Sequence, residues 1–482
     1  MATVYFLGDI HAGHKNICKF RTQFSSEEEH YEYVKERYHS VVTKRDKVFF
    51  MGDIAFTQER LKDVGKWVGE QKVLIVGNHC HSTDTELLTS DGWVNVEKIT
   101  TDTEVATVCL STNKLEYDRP KRVVVNEDSV MYGVKGVWID EVVSSGHNLV
   151  IDNKLIPVSE SVGEHDNRKF TLSAISGKDS CVNLTDDWIR LLTWVIMDGT
   201  MLRTSERKTR VQFKLSKERK IEALESLLKS LEIPYTKKEC KKYGINKLQP
   251  FYIRIYGQAS RDIHTFLNDS KQIPKDWSKL SRKQLEVFLQ VLKITDGHTE
   301  VNKIHWTTIN KNNVDIIQEA CVKNGYAMCF KEKINMSGFS NGKLQYLCYI
   351  CQGSSISSKS KVVVSELASR GKTIGVTVKH GTVISRRCGK VSVTGNCTDN
   401  IPMSEIVKHF DSVYSLKKYR EFWLSHCPIH PAELRGKMNI HGHVHYATLD
   451  DKRYFNTSLE NIDYKPINIE EIRKRIYEEN KQ

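Results

Sequence analysis

Residues 76–85 read VGNHCHSTDT. The first four close an apolar run, QKVLIVGNH, which sets Asn78 and His79 at the end of a strand. The last six, headed by Cys80, begin a different pattern. Two upstream runs end in the same manner, TVYFLGD at Gly8-Asp9 and DKVFFMGD at Gly52-Asp53. Polar stretches with helical spacing lie between them, near 27–41 and 59–68. Strands alternating with helices predict a βαβαβ unit on a parallel sheet. Ligands gather at the carboxyl ends of such strands, and each run ends there in a residue able to bind metal.

The pattern resumes near the C-terminus. REFWLSHCPIH reaches His426, and MNIHGHVH carries His441, His443 and His445. Asp, Asn and His together suit two borderline divalent ions bridged by a carboxylate. A single Asp or His of this kind is more often a turn or surface residue, but five such strand ends in one chain are not a coincidence. The joint pattern resembles the calcineurin-like metallophosphoesterases: D-x-H at Asp9 and His11, G-D at Gly52-Asp53, G-N-H at Gly77-Asn78-His79, a lone His426, and G-H-x-H at Gly442–His445. The resemblance implies an α/β sandwich over residues 1–79 and 397–482. It assigns Asp9, His11, Asp53 and His445 to one metal, and Asp53, Asn78, His426 and His443 to the other. His79 is the acid beside the leaving group, and Mn, Fe, Zn and Ni are not distinguished. Two positions depart from the family. Phe56 stands where a second Asp is usual, and Cys80 follows G-N-H where an acid is usual. Neither is an assigned ligand, and both leave the phosphoester substrate open.

Between these halves lie 317 residues, 80–396. They begin CHSTDTELLTSDGWVNVEKI and end KVSVTGN, followed by Cys397. A thiol at the first position can convert the preceding amide to a thioester. A thiol after the last can capture that acyl group, and a terminal Asn can cyclise to release the segment. One Cys near a strand end is ordinarily a small buried hydrophobe, and an Asn-Cys pair is common. Here the edges resemble inteins of the Hedgehog/intein (Hint) fold at three blocks in order. The resemblance gives Cys80, Asn396 and Cys397 those three roles. Thr83 and Asp84 match the first block, and SSGHNLV matches the second, with Ser144 where Thr is usual and His147 polarising the first scissile amide. An all-β splicing domain over 80–180 and 356–396, needing no cofactor, is implied. The penultimate residue, usually His, is Gly395, and Gly375 stands where Asp or Cys is common. Both positions usually assist proton transfer or Asn cyclisation, and His380 is the candidate replacement.

A further unit sits inside. WIRLLTWVIMDGTM and LEVFLQVLKITDGH are apolar helical stretches that stop at Asp198-Gly and Asp296-Gly, 98 residues apart. Each precedes sequence of strand and helix character, so the segment is duplicated in pattern. Singly, each stretch reads as a core helix capped by Gly. Together they resemble LAGLIDADG homing endonucleases. The resemblance implies an α+β domain over 181–355 that acts as a monomer with two pseudo-symmetric motifs. Asp198 and Asp296 hold Mg²⁺ against the phosphates of double-stranded DNA at the intein-free gene site. Between Leu202 and Pro250 fourteen Lys/Arg face six Asp/Glu, a surplus fit for backbone contacts. A solvated helix face accounts for the charge run alone equally well. Thr193, Met197, Val291 and Thr295 are bulky for a close helix contact and stand to hold the two acids apart.

Bulk properties agree with several domains. A chain of 482 residues has room for about three. With 39% hydrophobic and 27% charged residues it reads as globular and soluble. No run of eighteen apolar residues predicts a membrane span. The N-terminus has no basic region before an apolar core, so no signal peptide is expected and a cytoplasmic location is. The twelve cysteines show no framework, so reduced thiols are expected. Two readings stand. One is a self-splicing precursor carrying a phosphoesterase and an endonuclease. The other is a non-splicing multidomain metallophosphatase whose insert binds nucleic acid.

Overall fold

The computed structural model describes residues 2–14, 17–75, 80–144, 147–165, 168–176, 181–205, 208–240, 248–300, 303–334, 342–356, 361–395, 403–414, 416–426, 428–429, 431–446 and 449–479. Asn78, His79, Asn396 and Cys397 lie outside these residues. The chain builds several mixed sheets with helices packed on them.

The strands Val4–Gly8, Lys47–Met51 and Gln71–Ile75 pair in parallel, in register across five residues. The helix Glu27–His39 links the first two. Ser26 caps it by accepting from the Glu29 amide, three Glu occupy its first turn, and Tyr31, Val34 and Tyr38 form its buried stripe. The helix Gln58–Gly65 links the second pair. The sheet is finished by the far end of the chain. Ser412–Tyr414 pairs in parallel with Gln71–Ile75, and Ile467–Asn468 pairs antiparallel with Val4–Gly8. A second sheet, Leu416–Tyr419, Phe422–Ser425, Met438–His441 and Tyr454–Asn456, lies entirely beyond residue 395. One hydrophobic core joins both sheets. It draws on residues from Phe6 to Ile75 and from Ile406 to Ile476, and on none between. The two ends of the chain therefore stabilise one another through shared apolar burial.

Among the described residues, 80–176 and 361–395 contain strands and short 3-10 turns but no α-helix. Two long strands, Arg122–Lys135 and Val362–Thr377, pair antiparallel with two shifts of register. His81–Ser82 sits between Val362–Thr377 and Asp140–Ser144. Lys390–Gly395 pairs with Thr382–Arg387 and, through Thr394 opposite Leu149, with Asn148–Ile151. This topology brings the beginning and the end of the segment to one place.

Residues 181–352 form two halves of the same plan. Each opens with a 13-residue helix, Asp186–Asp198 or Arg282–Ile294, and carries a four-stranded antiparallel sheet of identical strand order. The two helices pack on each other, and one core spans both halves. The second half is also built into the strands around it. Val322 from the helix Lys311–Lys323 shares a core with Leu88, Val108 and Ile384. Arg386, 1% exposed, pairs with Glu86 at 2.7 Å and reaches across to Asp315 at 2.5 Å and Gln318 at 3.0 Å. A guanidinium so deeply buried requires this saturation of its donors.

Candidate functional sites

At the ends of the outer sheets the backbone is strained. Asp9, His11, His443 and His445 all adopt positive φ, at 54°, 55°, 72° and 48°. Non-glycine residues in this region cost free energy and cluster where a site demands a geometry. Arg21, fully buried, holds the first turn: its Nη2 donates to the Asp9 carbonyl at 2.7 Å and its Nη1 to that of Ile10 at 3.2 Å. Asp9 Oδ2 accepts from the His443 amide at 2.8 Å and from Ser458 Oγ at 2.7 Å, which aims Oδ1 inward. His426 Nδ1 stands 3.7 Å from that oxygen, and His426 Nε2 stands 3.9 Å from Asp53 Oδ1. One ligand atom from each of Asp9, Asp53 and His426 falls within 4.8 Å of the others. His443 Nδ1 lies 3.0 Å from His426 Nε2, and the His11 and His445 rings are 5.1 Å apart.

Six of the seven expected ligands thus converge; the seventh, Asn78, lies outside the described residues. The donor set fits a divalent cation on independent grounds. Both ring nitrogens of buried His11, and Asp9 Oδ1, have no hydrogen-bond partner among the described residues, a costly arrangement without a ligand. Burial, then the charges of His445 and Arg21, hold the His11 imidazole well below its usual range, so it is neutral and ready to donate a lone pair. His445 differs. Burial pushes it down, but its 3.1 Å hydrogen bond to Glu460 and the charge of Asp9 outweigh this and raise it. Glu460 is itself fixed by Arg21 at 2.8 Å; burial pushes its carboxyl up, yet His445 and Arg21 bring it down to about 2. Such a chain orients a metal-ligating imidazole from behind. Phe56 stacks on His11 and His14 at 5.3 and 4.7 Å, an apolar wall in place of a carboxylate.

The second centre lies where Cys80 and the Lys390–Gly395 strand approach Ser144 and His147. Cys80 is buried. Its amide donates to Ser144 Oγ at 2.8 Å, and its carbonyl accepts from the Ser144 amide at 2.9 Å. The His147 amide donates to the Ser144 carbonyl, so the three residues form one turn. His147 Nε2 is 2.6 Å from Thr394 Oγ1, two residues from the insert's end. Cys80, Ser144, His147 and Thr394 therefore meet. Gly395 packs so close to the Asn148 backbone that a Cβ would stand 2.6 Å from its carbonyl oxygen, so the position has no room for a side chain. Among the described residues, the Thr83 carbonyl accepts from the Asn95 side chain at 2.8 Å, and His380 lies 3.2 Å from Glu116 in a turn. His81 and Glu141 were missed by the sequence reading, because nothing local marks them.

The third centre is the pair of acids. Asp198 is the last residue of its helix, Asp296 lies in the turn two residues past the end of the other, and Asp296 interacts directly with Asp198. Partial burial and then the Asp198 charge raise the Asp296 carboxyl, although the residue as a whole is exposed. Lys220 Nζ reaches Asp198 at 2.7 Å. Lys271 lies beside both acids, and burial lowers it despite their charges. A cleft of about 480 Å³ opens here, lined by Met197, Lys271 and Asp296 among others. The expected separation of the acids by bulky residues is not seen. The Thr193 and Thr295 hydroxyls turn back to Ile189 and Val291 carbonyls of their own helices at 2.7 and 2.9 Å, leaving the helices free to close. The basic residues Lys208, Lys214, Lys237 and Lys238 are exposed on the strands of the first half.

No family model matches the chain. It is 23% identical over 406 residues to ribonucleoside-diphosphate reductase subunit beta of Aquifex aeolicus (strain VF5), covering 73% of this chain and 55% of that protein. It is 31% identical over 110 residues to the gene 66 protein of Mycobacterium phage L5, covering 21% of this chain and 53% of that protein. The chain thus spans about half the length of these two curated relatives. Among solved structures it is similar to a splice-inactive variant of the AceL NrdHF class 3 split intein, with 9% identity, 66% of this chain, 99% of that chain and a TM-score of 0.25. It is also similar to the I-DmoI structure in complex with DNA and Mn, with 15% identity, 34% of this chain, 89% of that chain and a TM-score of 0.25. The homing endonuclease I-WcaI bound to its DNA recognition sequence matches at 17% identity, 35% of this chain, 77% of that chain and a TM-score of 0.26.

Proposed function

We propose that the chain is a self-splicing precursor. Residues 1–79 and 397–482 form a split dinuclear metallophosphoesterase, 80–180 and 356–396 a splicing domain, and 181–355 a homing endonuclease. The observation that carries this reading is the closure of the insert on itself. The Cys80 amide meets Ser144, and Thr394 meets His147 beside it, while residues 1–75 and 403–479 share a core that takes nothing from the insert.

In this reading the Cys80 thiol attacks the carbonyl of residue 79. A C–S bond forms, the C–N bond breaks, and the thiol proton ends on the Cys80 amine. Ser144 Oγ, already accepting from that nitrogen, fixes the amide's orientation, and His147 carries the proton. The Cys397 thiol then takes the acyl group. Asn396 cyclises to release the insert, and the amide re-forms between 79 and 397. In the phosphoesterase, Asp9, His11, Asp53 and His445 would hold one metal, and Asp53, Asn78, His426 and His443 the other. When bound, the pair supplies a hydroxide at neutral pH and Lewis-acid polarisation of a phosphoryl oxygen. Arg21 and Glu460 hold the strained Asp9 turn and the His445 ring. His79 would serve as the proton donor to the leaving oxygen. In the endonuclease, Asp198 and Asp296 would hold Mg²⁺, which would supply charge neutralisation for phosphodiester cleavage.

Gel analysis after expression tests this reading. It predicts a ligated product of 165 residues and a free insert of 317. A non-splicing phosphatase with a nucleic-acid-binding insert yields full-length chain alone.

A further inference from the structure

Behind His147 lies a buried polar group with no part in the reading above. His81 and Glu141 are 1% and 0% exposed. Glu141 Oε1 accepts from Ser385 Oγ at 2.6 Å and also from Ser392 Oγ. Its Oε2 has no hydrogen bond among the described residues and faces His81 Nδ1 at 3.6 Å. Neither ring nitrogen of His81 has a hydrogen-bond partner among the described residues. The His81 ring meets the His147 ring edge to face, with centroids 4.6 Å apart at 68°. A carboxylate and two imidazoles thus stand in a line that ends on Thr394 Oγ1 and the Ser144 turn.

Burying a carboxylate is costly unless it is compensated. The surrounding charges do not compensate it, because they are satisfied elsewhere. Asp140 pairs with Lys135 and Arg387, Arg387 also pairs with Asp84, and Lys390 lies toward Asp140. From the strand opposite, His81 faces the uncharged Ile374. Serine hydroxyls from the Thr382–Arg387 and Lys390–Gly395 strands cover the other side of Glu141. Beyond these, the Cys80 thiol is the adjoining ionisable group. The His81 imidazole is therefore the group that faces Glu141 Oε2, and it passes that contact on to the His147 ring.

We infer that Glu141 and His81 are positioning residues of the splicing centre: Glu141 fixes His81, and the pair holds His147 in one ring orientation. This rests on the splicing reading. It accounts for a proton path in a chain with glycine at 395 and 375. It also explains the uncommon demand for buried polar groups at 81, 141, 385 and 392. The acyl shift then needs no external proton. The proton leaving Cys80 Sγ passes to His147 and on to the Cys80 nitrogen, and the dyad stays unchanged overall.

The test uses the full chain with Asn396→Ala, which stops release, and follows cleavage between residues 79 and 80 by dithiothreitol as a function of pH. Glu141→Gln keeps the shape and the serine hydrogen bonds but removes the charge. It is expected to slow cleavage about tenfold or more at neutral pH, the order lost when a partner orienting a working histidine is removed. It is also expected to move the pH midpoint assigned to the histidines downward. His81→Phe keeps a ring and should give the same slowing, and Glu141→Asp should restore much of the midpoint. Slower cleavage with an unmoved midpoint in both Glu141→Gln and His81→Phe would show a structural role only and overturn the inference, as would wild-type rates. If the Asn396→Ala parent itself shows no thiol-dependent cleavage, the splicing reading fails and takes this inference with it.

Discussion

Gly52→Ala isolates the geometry of the proposed metal centre. Gly52 has φ +100°, and a Cβ there would stand 1.6 Å from His426 Nδ1 and 2.2 Å from Cε1. Ordinary contact needs about 3.4 Å or more, so the ring must retreat by about 2 Å. Two donors on one cation at about 2.1 Å each can be separated by at most about 4.2 Å. His426 lies 3.7 and 3.9 Å from the Asp9 and Asp53 oxygens, so a retreat of that size removes it from the site. Forcing the backbone conformation adds about 1–2 kcal/mol and the overpacking about 1–3 kcal/mol, a loss of roughly 2–5 kcal/mol. At about 2–4 °C per kcal/mol for a unit of this size, the melting temperature of the spliced product should fall by roughly 4–20 °C. Mn²⁺ titration by calorimetry should show one fewer tight site or a loss of binding. Gly436→Ala is the control: its φ is +78°, but a Cβ meets nothing within 4 Å, so it tests strain without the clash. Unchanged Mn²⁺ stoichiometry and stability in Gly52→Ala would refute the reasoning.

Asp198→Asn or Asp296→Asn should abolish double-strand cutting of the intein-free site while leaving DNA binding within a few-fold, because the acids hold metal and the exposed lysines supply affinity; binding should weaken steeply between 50 and 200 mM salt. In metal-free protein Glu460, held down at about 2, contributes stability that is present above its ordinary carboxylate range and lost as pH falls from about 4.5 toward 2, roughly 3 kcal/mol in all. Glu460→Gln should flatten that limb of an acid-denaturation curve. The unspliced Cys80→Ala, Asn396→Ala chain should hydrolyse an aryl phosphodiester with Mn²⁺ much more slowly than the ligated product, since residue 79 is tied to the insert's own centre; equal rates would remove the idea that splicing switches this activity on.

What could be read from the sequence was what local pattern encodes. Strand-terminal Asp9, Asp53, His426 and His443 announce themselves because an apolar run followed by Gly-Asp or His leaves few alternatives. The duplicated helix ending in Asp-Gly was legible for the same reason. The supports were not. Arg21 and Glu460 lie 439 residues apart and meet only through the closed sheet. His81 looks like an ordinary strand residue until Glu141 is seen behind it. Arg386 gives no sign of reaching Asp315, because the fusion of the inner unit to the strands around it is a matter of packing. The bulk of Thr193 and Thr295 misled, because a threonine that bonds back to its own helix presents only a methyl group to its neighbour. His380 carries no signal beyond its residue type, and its 3.2 Å contact with Glu116 depends on how two distant strands meet.

The claim on which the rest depends is that residue 79 becomes bonded to residue 397. Tandem mass spectrometry of a proteolytic digest of the expressed protein tests it directly. Splicing predicts a peptide reading GNHCTDN across the new junction, present in the native chain and missing from Cys80→Ala. If every digest of the native chain yields only GNHCHSTDT at the first junction and TGNCTDN at the second, the insert stays in place and the account is contradicted.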